Sequence, residues 1–298
     1  MLWRAVQADM EDDAMLTIGV FPNTCKPNVG PVLHQLISYC QTRQIRILMP
    51  EESAASMGYA QLAAPADIMK RKIDVAITLG GDGTLLSVTR EIAAQRVPVC
   101  GINLGRLGFL AEIELPELSA KLEQLACGDY TVEHRLMLDA FVMRQGVLSR
   151  VSSALNDIVI TKGVFSRMLR LELYVEDTFT ANYQADGLII ATATGSTGYS
   201  LSAGGPIINP GLNVVLITPI CPHTLSSRSL IISSEEDVRV NTTMINTDIV
   251  LTVDGQIIQQ LKPGDEIIVK RAPFDAKFIK FAGKSYYENL RTKLWRGD

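Results

Sequence analysis

Little in this 298-residue chain points to a zinc site, a membrane or a polyanion. Its five cysteines (Cys25, Cys40, Cys100, Cys127, Cys221) are scattered, with no two standing two or three residues apart. That spacing argues against a zinc site or redox pair, and the odd count suits a reducing compartment. The longest apolar stretches, such as Leu188-Ile189-Ile190-Ala191 and Val214-Val215-Leu216-Ile217, fall far short of the roughly 20 residues that span a bilayer. No transmembrane helix is expected. Lys and Arg number 28 against 32 Asp and Glu, a formal charge of −4, which supplies neither a basic face for nucleic acid nor an acidic block. The opening MLWRAVQADMEDDAM has one Arg and four acidic residues and lacks the basic-then-apolar order of a signal peptide. Residues 1–14 therefore read as an N-terminal extension of a cytoplasmic protein. Of the three histidines, His34, His134 and His223, none has a catalytic partner nearby in sequence, so a Ser-His-Asp arrangement has no support.

What is present fits a folded chain: 47% hydrophobic and 20% charged residues. The length exceeds a typical domain of about 100 to 200 residues, which predicts two. In the first half, strand-like runs at Met15–Phe21, Ile45–Met49, Ile73–Leu79 and Val97–Ile102 alternate with helical patterns at Val32–Cys40, after Pro65, at Thr84–Ala94 and at Pro116–Cys127. Such alternation predicts a Rossmann-like parallel sheet with helices on its faces. From about Tyr130 short β-branched runs replace the helical spacing, separated by turn signals at Glu176-Asp177, Asp254-Gly255 and Lys262-Pro263-Gly264-Asp265. The expected fold is an α/β N-terminal domain (15–128) and an all-β, sandwich-like C-terminal domain (129–273), with the segment 274–298 returning to the first.

The run Gly80-Gly81-Asp82-Gly83-Thr84 joins the buried strand Ile73–Leu79 to a helix. Its glycines let the backbone approach a ligand closely, and the amides that open the helix form an anion site. A carboxylate in that cradle is repelled by phosphate unless Mg²⁺ intervenes or there is a proton to take, and both exceptions describe phosphoryl transfer. The run is neither a Walker loop nor Gly-x-Gly-x-x-Gly. The bland alternative is a tight turn in which Asp or Thr caps the helix.

Gly-Gly-Asp-Gly-Thr after an apolar strand resembles the signature of NAD kinases, diacylglycerol- and sphingosine-type lipid kinases and, in related form, phosphofructokinases. Further stretches resemble NAD kinases in particular: Gly101-Ile102-Asn103-Leu104-Gly105-Arg106-Leu107-Gly108-Phe109-Leu110, then Leu155-Asn156-Asp157, then the long block from Asp186-Gly187 through Thr194-Gly195-Ser196-Thr197-Gly198-Tyr199-Ser200-Leu201-Ser202 to Gly204-Gly205-Pro206, and Pro219 to Leu230, which contains Pro222 to Arg228. The resemblance covers roughly residues 15 to 290. Ala193 stands where that family usually has Pro, and Gly198 where it usually has Ala, a change that keeps the site open and loosens the backbone.

The resemblance implies a kinase that moves the γ-phosphate of ATP, or of polyphosphate, to the 2′-hydroxyl of the adenosine ribose of NAD, giving NADP, with Mg²⁺ or another divalent cation carried mainly on the ATP phosphates. Asp82 is the expected general base, and the N–H groups of Gly81, Gly83 and Thr84 the expected phosphate donors. Asn156 and Asp157 carry the donor and acceptors that suit an adenine edge, and are expected at the adenosine or nicotinamide end. The segment from Thr192 to Ser202, with Thr194, Thr197, Gly198, Tyr199, Ser200, Leu201 and Ser202, is expected to form a wall for ribose and diphosphate, with Tyr199 stacking on a base or filling the core, and Asp186 to contact the nucleotide. Phe109 is expected to line the pocket, and Arg167, Gln184, His223 and Gln256 to contact the nucleotide. The family further implies a homo-oligomer, dimer or tetramer. The alternatives are a diacylglycerol-type lipid kinase, which should lack the Asp186–Pro206 block, and a non-catalytic NAD(P) sensor, against which Asp82 itself argues.

Overall fold

The computed structural model describes residues 16–105, 108–163, 168–224, 227–242, 248–283 and 285–294. The chain divides into two compact units, Met1–Glu133 with Lys277–Asp298, and His134–Ala276.

The first unit begins with β1 (Thr17–Pro22), α1 (Val29–Thr42), β2 (Arg46–Pro50), α2 (Glu51–Ser56), β3 (Ala63–Ala64), α3 (Ala66–Lys72), β4 (Val75–Gly80), α4 (Asp82–Ile92), β5 (Pro98–Asn103), β6 (Ile113–Glu114), α5 (Leu118–Ala126) and β7 (Thr131–Arg135). β1 and β4 are buried along their whole length, which is why both read as unbroken apolar runs rather than as an alternation. In α1 the buried residues Val29, Val32, Leu33, Leu36, Ile37 and Cys40 recur at three- and four-residue intervals, one stripe of a helix laid on the sheet. Each fully buried Leu or Ile of this kind contributes about 1.5–3 kcal/mol.

The second unit holds β8 (Leu138–Arg144), β9 (Val147–Ala154), β10 (Asp157–Lys162), β11 (Leu169–Val175), β12 (Thr178–Ala185), β13 (Gly187–Thr192), the short helix α6 (Tyr199–Ser202), β14 (Val214–Ile220), β15 (Leu230–Ser233), β16 (Val238–Thr242), β17 (Ile249–Val253), β18 (Ile257–Leu261) and β19 (Glu266–Arg271). β20 (Ala276–Lys280) and α7 (Tyr286–Leu294) then bring the chain back to the first unit, where β20 pairs with β5.

In the first unit the strand order is β3-β2-β1-β4-β5-β20-β7, with β6 on β5. The pairs β1–β2, β1–β4, β4–β5 and β5–β20 are parallel. The order reverses between β1 and β4, and open sheets of this kind bind ligands beyond the carboxyl ends of the strands at that reversal. Gly80 closes β4 at that end, so the glycine turn lies where the topology places a ligand.

In the second unit two six-stranded antiparallel sheets run β15-β14-β13-β10-β17-β18 and β12-β11-β16-β19-β8-β9. Ile158, Ile160, Leu188 and Ile190 of the first meet Leu138, Leu171, Val240 and Ile267 of the second in one core. The first sheet also buries its outer face, where Val159, Ile189, Ala191 and Leu216 pack with Ile208 and Ala193. Burial on both faces explains the continuous run Leu188–Ala191, whereas β11 on the other sheet alternates buried Leu169, Leu171 and Leu173 with more exposed Arg170 and Glu172. The fold is an α/β unit plus an all-β two-sheet unit, as the two textures of the sequence predict.

Candidate active site

In the α/β unit the site is built on the carboxyl ends of β1, β4 and β5. The predicted helix starting at Thr84 in fact starts at Asp82, with Gly81 before it in extended backbone. Two glycines here are demanded by side chains. A Cβ on Gly80 would lie 2.3 Å from Oγ1 of Thr84, and one on Gly108 would lie 1.9 Å from Oδ1 of Asp82. By contrast a Cβ on Gly81 would meet open space among the described residues, which leaves its backbone accessible.

The Asp82 carboxylate is turned onto the loop that follows β5. Phe109 N–H donates to Oδ2 at 2.6 Å, and Leu110 and Ala111 N–H donate to Oδ1 at 3.2 and 3.3 Å. Two carboxylate oxygens offer about four lone-pair positions, so among the described residues one remains for a further donor. Thr84 N–H is engaged by the Gly81 carbonyl at 3.1 Å, inside the first turn of α4. The sequence counted that N–H among the phosphate donors, and forming the helical turn is what withdraws it.

Asn23, just past β1, ties these pieces together, its N–H on the Leu79 carbonyl and its Nδ2 on Thr84 Oγ1 at 3.1 Å. Asn103 accepts the Gly105 N–H and donates to the Gly105 carbonyl, each at 3.1 Å, shaping the start of the loop. Buried Glu112 anchors its far end, accepting from Lys280 Nζ at 2.6 Å and Phe281 N–H at 3.2 Å. Phe109 is half-buried, and the Nζ of Lys293, from α7, lies 4.1 Å from its ring centroid. Burial pushes the Lys293 ammonium down to about 8, opposed by the Asp82 charge, reinforced by Lys280 and opposed again by Glu114.

In the β unit a second group of residues surrounds Asn156 and Asp157. Asp254 accepts the N–H groups of Leu155 at 3.1 Å, Asn156 at 2.8 Å and Asp157 at 3.1 Å. Burial first, and then the charge of Asp254, pushes the Asp157 carboxyl up to about 7. Near neutral pH this group therefore both donates and accepts. Oδ1 of Asn156 is shielded from solvent and has no hydrogen-bond partner among the described residues. A Cβ on Gly195 would fall 2.1 Å from the Asn156 carbonyl, and one on Gly198 would stand 3.8 Å from Asn156 Nδ2 and 3.9 Å from Asp157 Oδ2. The turn Thr194–Thr197 and Gly198 thus close directly over the pair.

The hydroxyl run sorts by direction. Thr192 Oγ1 donates to the Leu155 carbonyl at 2.6 Å, Ser196 Oγ to the Ala193 carbonyl at 2.7 Å, and Ser200 Oγ shares a 2.9 Å bond with Thr218 Oγ1. All three are buried and hold the turn against the sheet. Thr194 is also buried and accepts from Arg135 at 3.3 Å. Tyr199 is 45% exposed, and Thr197, Gly198, Leu201 and Ser202 reach the surface in part or whole. Tyr199 therefore does not fill the core. Asp186 pairs with Lys162 at 2.7 Å. Gln184 and His223 are exposed and joined by the His223 N–H on the Gln184 carbonyl at 2.8 Å, and exposed Gln256 closes the Asp254-Gly255 turn. Arg167 lies outside the described residues.

In the sequence Asp254 shows only as half of an Asp-Gly turn. Its backbone φ of 50° marks it as the turn residue, and its carboxylate is what fixes Leu155–Asp157. Gly108 likewise belongs to a motif in which nothing local shows why it is glycine.

A doubly wound parallel sheet that ends in a glycine turn presenting an Asp, together with a two-sheet β unit, fits the class of kinase that the Gly-Gly-Asp-Gly-Thr resemblance implies. Within that class the chain belongs to the ATP-NAD kinase family: the ATP-NAD kinase N-terminal domain matches residues 26–130 and the ATP-NAD kinase C-terminal domain residues 155–281. The NAD kinase of Natranaerobius thermophilus is 44% identical over 284 residues, 95% of this chain and 99% of that one. That of Carboxydothermus hydrogenoformans is 46% identical over 268 residues, 89% and 95% of the two chains. Among solved structures, yeast NADH kinase complexed with NADH superposes with a TM-score of 0.86 at 25% identity, covering 95% of this chain and 89% of that one. The NAD kinase of Archaeoglobus fulgidus in complex with ATP shares the fold at a TM-score of 0.73 and 23% identity, covering 93% and 98%. None of these relatives supports the lipid-kinase or sensor alternatives.

Proposed function

We propose that this chain is an NAD kinase in which the oxygen of the adenosine-ribose 2′-hydroxyl of NAD attacks the γ-phosphorus of ATP. A bond forms from O2′ to phosphorus, the bond from phosphorus to the β,γ-bridging oxygen breaks, and ADP leaves. The hydroxyl proton passes to Asp82, whose carboxylate keeps an open lone-pair position beside the amides of 109–111. The observation that carries the reading is this fixed carboxylate at the carboxyl end of β4, held by a glycine turn whose Gly81 face is open. Gly81 and Gly83 supply backbone donors to phosphate.

Asn156 and Asp157 read the adenine or nicotinamide end. A carboxyl that titrates near 7 beside an amide with an unused oxygen suits a heterocycle carrying both an amino donor and a ring-nitrogen acceptor. Tyr199 stacks on a ring, while Thr197, Gly198, Leu201 and Ser202 line the ribose and diphosphate, with Asp186, Gln184, His223, Gln256 and Arg167 at the margins. Thr194 and Ser200 act from behind, through the turn they brace. The α/β unit is the phosphoryl-transfer domain and the β unit the NAD-binding domain.

A divalent cation, Mg²⁺ by preference, carried on the triphosphate would neutralise charge on its oxygens. The enzyme works in the cytoplasm as a homo-oligomer, dimer or tetramer.

The test is direct: purified protein with ATP, Mg²⁺ and NAD, scored by a dehydrogenase specific for NADP. NADP above a boiled control is expected, and its absence sinks the reading. The same assay with polyphosphate replacing ATP, and NADH replacing NAD, assigns donor and acceptor.

A further inference from the structure

Among the described residues, the α/β unit contains a cation that its own fold leaves without a hydrogen-bond partner. Lys293 comes from α7, some two hundred residues beyond Asp82 in the chain, yet its ammonium sits on the Phe109 ring, 4.1 Å from the centroid. Phe109 is the residue whose N–H holds Asp82 at 2.6 Å. Nζ is shielded from solvent and has no hydrogen-bond partner among the described residues. An ammonium carries three N–H donors, and removing it from water without partners is costly. The attraction of an aromatic face offsets only part of that cost.

The obvious internal partner would be Asp82, whose charge does act on Lys293. Its carboxylate is instead turned onto the Phe109, Leu110 and Ala111 amides. Lys280, the other nearby cation, is committed to Glu112 at 2.6 Å. A desolvated cation with no hydrogen-bond partner among the described residues, next to a carboxylate that faces the 109–111 amides and not the ammonium, is arranged to receive an anion from outside the protein.

We propose that Lys293 is an anion-binding residue of this site, and that the partner its ammonium lacks is a phosphate oxygen of the bound substrate. This inference rests on the kinase reading for the nature of its ligand. A cation in a dry setting attracts phosphate far more strongly than a solvated surface lysine does. Burial also lowers its pKa to about 8, so an arriving phosphate meets a group that is still mostly protonated near neutral pH. Phosphate reaches the site in two forms, the triphosphate chain of the donor and the diphosphate of the dinucleotide, and the experiment separates them.

The full-length protein and its Lys293→Met and Lys293→Arg variants are titrated calorimetrically with tripolyphosphate, ATP and NAD, each alone. Lys293→Met is expected to weaken at least one of these by about 10- to 100-fold, the range of a charge-assisted hydrogen bond, and Lys293→Arg to retain most of the affinity. A loss confined to tripolyphosphate and ATP assigns the donor chain, and one confined to NAD assigns the dinucleotide. Unchanged affinity for all three in Lys293→Met overturns the inference and leaves Lys293 as a packing group on Phe109. Should Lys293→Met fold poorly, the wild-type Lys293 ¹³Cε resonance serves instead: it must shift on addition of one of the three ligands, and its indifference to all overturns the inference as well. NADP formation by wild type is scored separately. Phosphate binding through Lys293 without NADP formation sinks the kinase reading and not this one, while a wild type that binds none of the ligands overturns this one.

Discussion

Gly108 and Asp82 occupy one another's space: a Cβ added to Gly108 would lie 1.9 Å from Oδ1 and 2.1 Å from Cγ of the Asp82 carboxyl. Two motifs that stand apart in the sequence are thereby one mechanical unit. The glycine admits the carboxylate, and the carboxylate then organises the three amides that follow it.

Gly108→Ala should therefore displace Asp82 rather than merely crowd a loop. Overpacking of this kind costs about 1–3 kcal/mol, and the misplaced carboxylate should lower kcat by about 10²-fold. Steady-state kinetics alongside a thermal melt check this. Wild-type turnover in Gly108→Ala would show that the Asp82 contact has no part in the reaction.

Asp254 holds the turn that presents Asn156 and Asp157 with three N–H···O bonds. Asp254→Ala leaves those donors unsatisfied and should destabilise the protein by about 2–3 kcal/mol. It should also raise KM for NAD while leaving KM for ATP near its wild-type value. Chemical denaturation and a two-substrate kinetic matrix measure the two effects, and equal rises in both KM values would contradict the assignment.

Asp157 gives a pH dependence whose sign is fixed. Its folded-state pKa of about 7 lies above the unfolded value of about 3.9. The folded protein thus binds the proton more tightly, and the contribution to stability is complete below the unfolded pKa and lost as pH rises through about 7. Asp157→Asn removes that loss, so its stability relative to wild type should improve between about pH 5 and about pH 8. A constant difference across that range would mean that Asp157 is not held protonated. Asp254→Asn should in addition move the Asp157 midpoint down, by removing the second cause of its elevation.

Tyr199 is 45% exposed, so Tyr199→Ala should leave the melting temperature unchanged. Loss of a stacking contact worth about 0.5–1.5 kcal/mol should raise KM for NAD roughly 2- to 12-fold. An unchanged KM would remove Tyr199 from the site.

How far the sequence anticipates all this depends on the reach of each interaction. Helix α1 and the strands β1 and β4 are legible because burial repeats at a fixed period, or without a break, within a few residues. The sheet carrying β13 is legible from Leu188–Ala191 for the same reason. Motif residues such as Asp82, Asn156 and Asp157 stand out by their company. Asp254 bonds to residues nearly a hundred positions away, and Lys293 meets a ring from the other end of its unit. No local pattern records such pairings. The hydroxyl run shows a subtler limit, since composition marks the segment as polar while only the fold decides that Ser196 and Ser200 turn inward and Tyr199 outward.

The central claim is that Asp82 takes the proton from the acceptor hydroxyl, and single-turnover formation of NADP from ATP and NAD in wild type and Asp82→Asn tests it most directly. Asparagine keeps the shape of the carboxylate and one of its two oxygen acceptors, turns an NH2 group toward the 109–111 amides and has no basic oxygen, so NADP is expected from wild type and a rate about 10²- to 10⁴-fold lower in the variant, with a thermal melt establishing that it is folded. NADP formed by Asp82→Asn at the wild-type rate would contradict it.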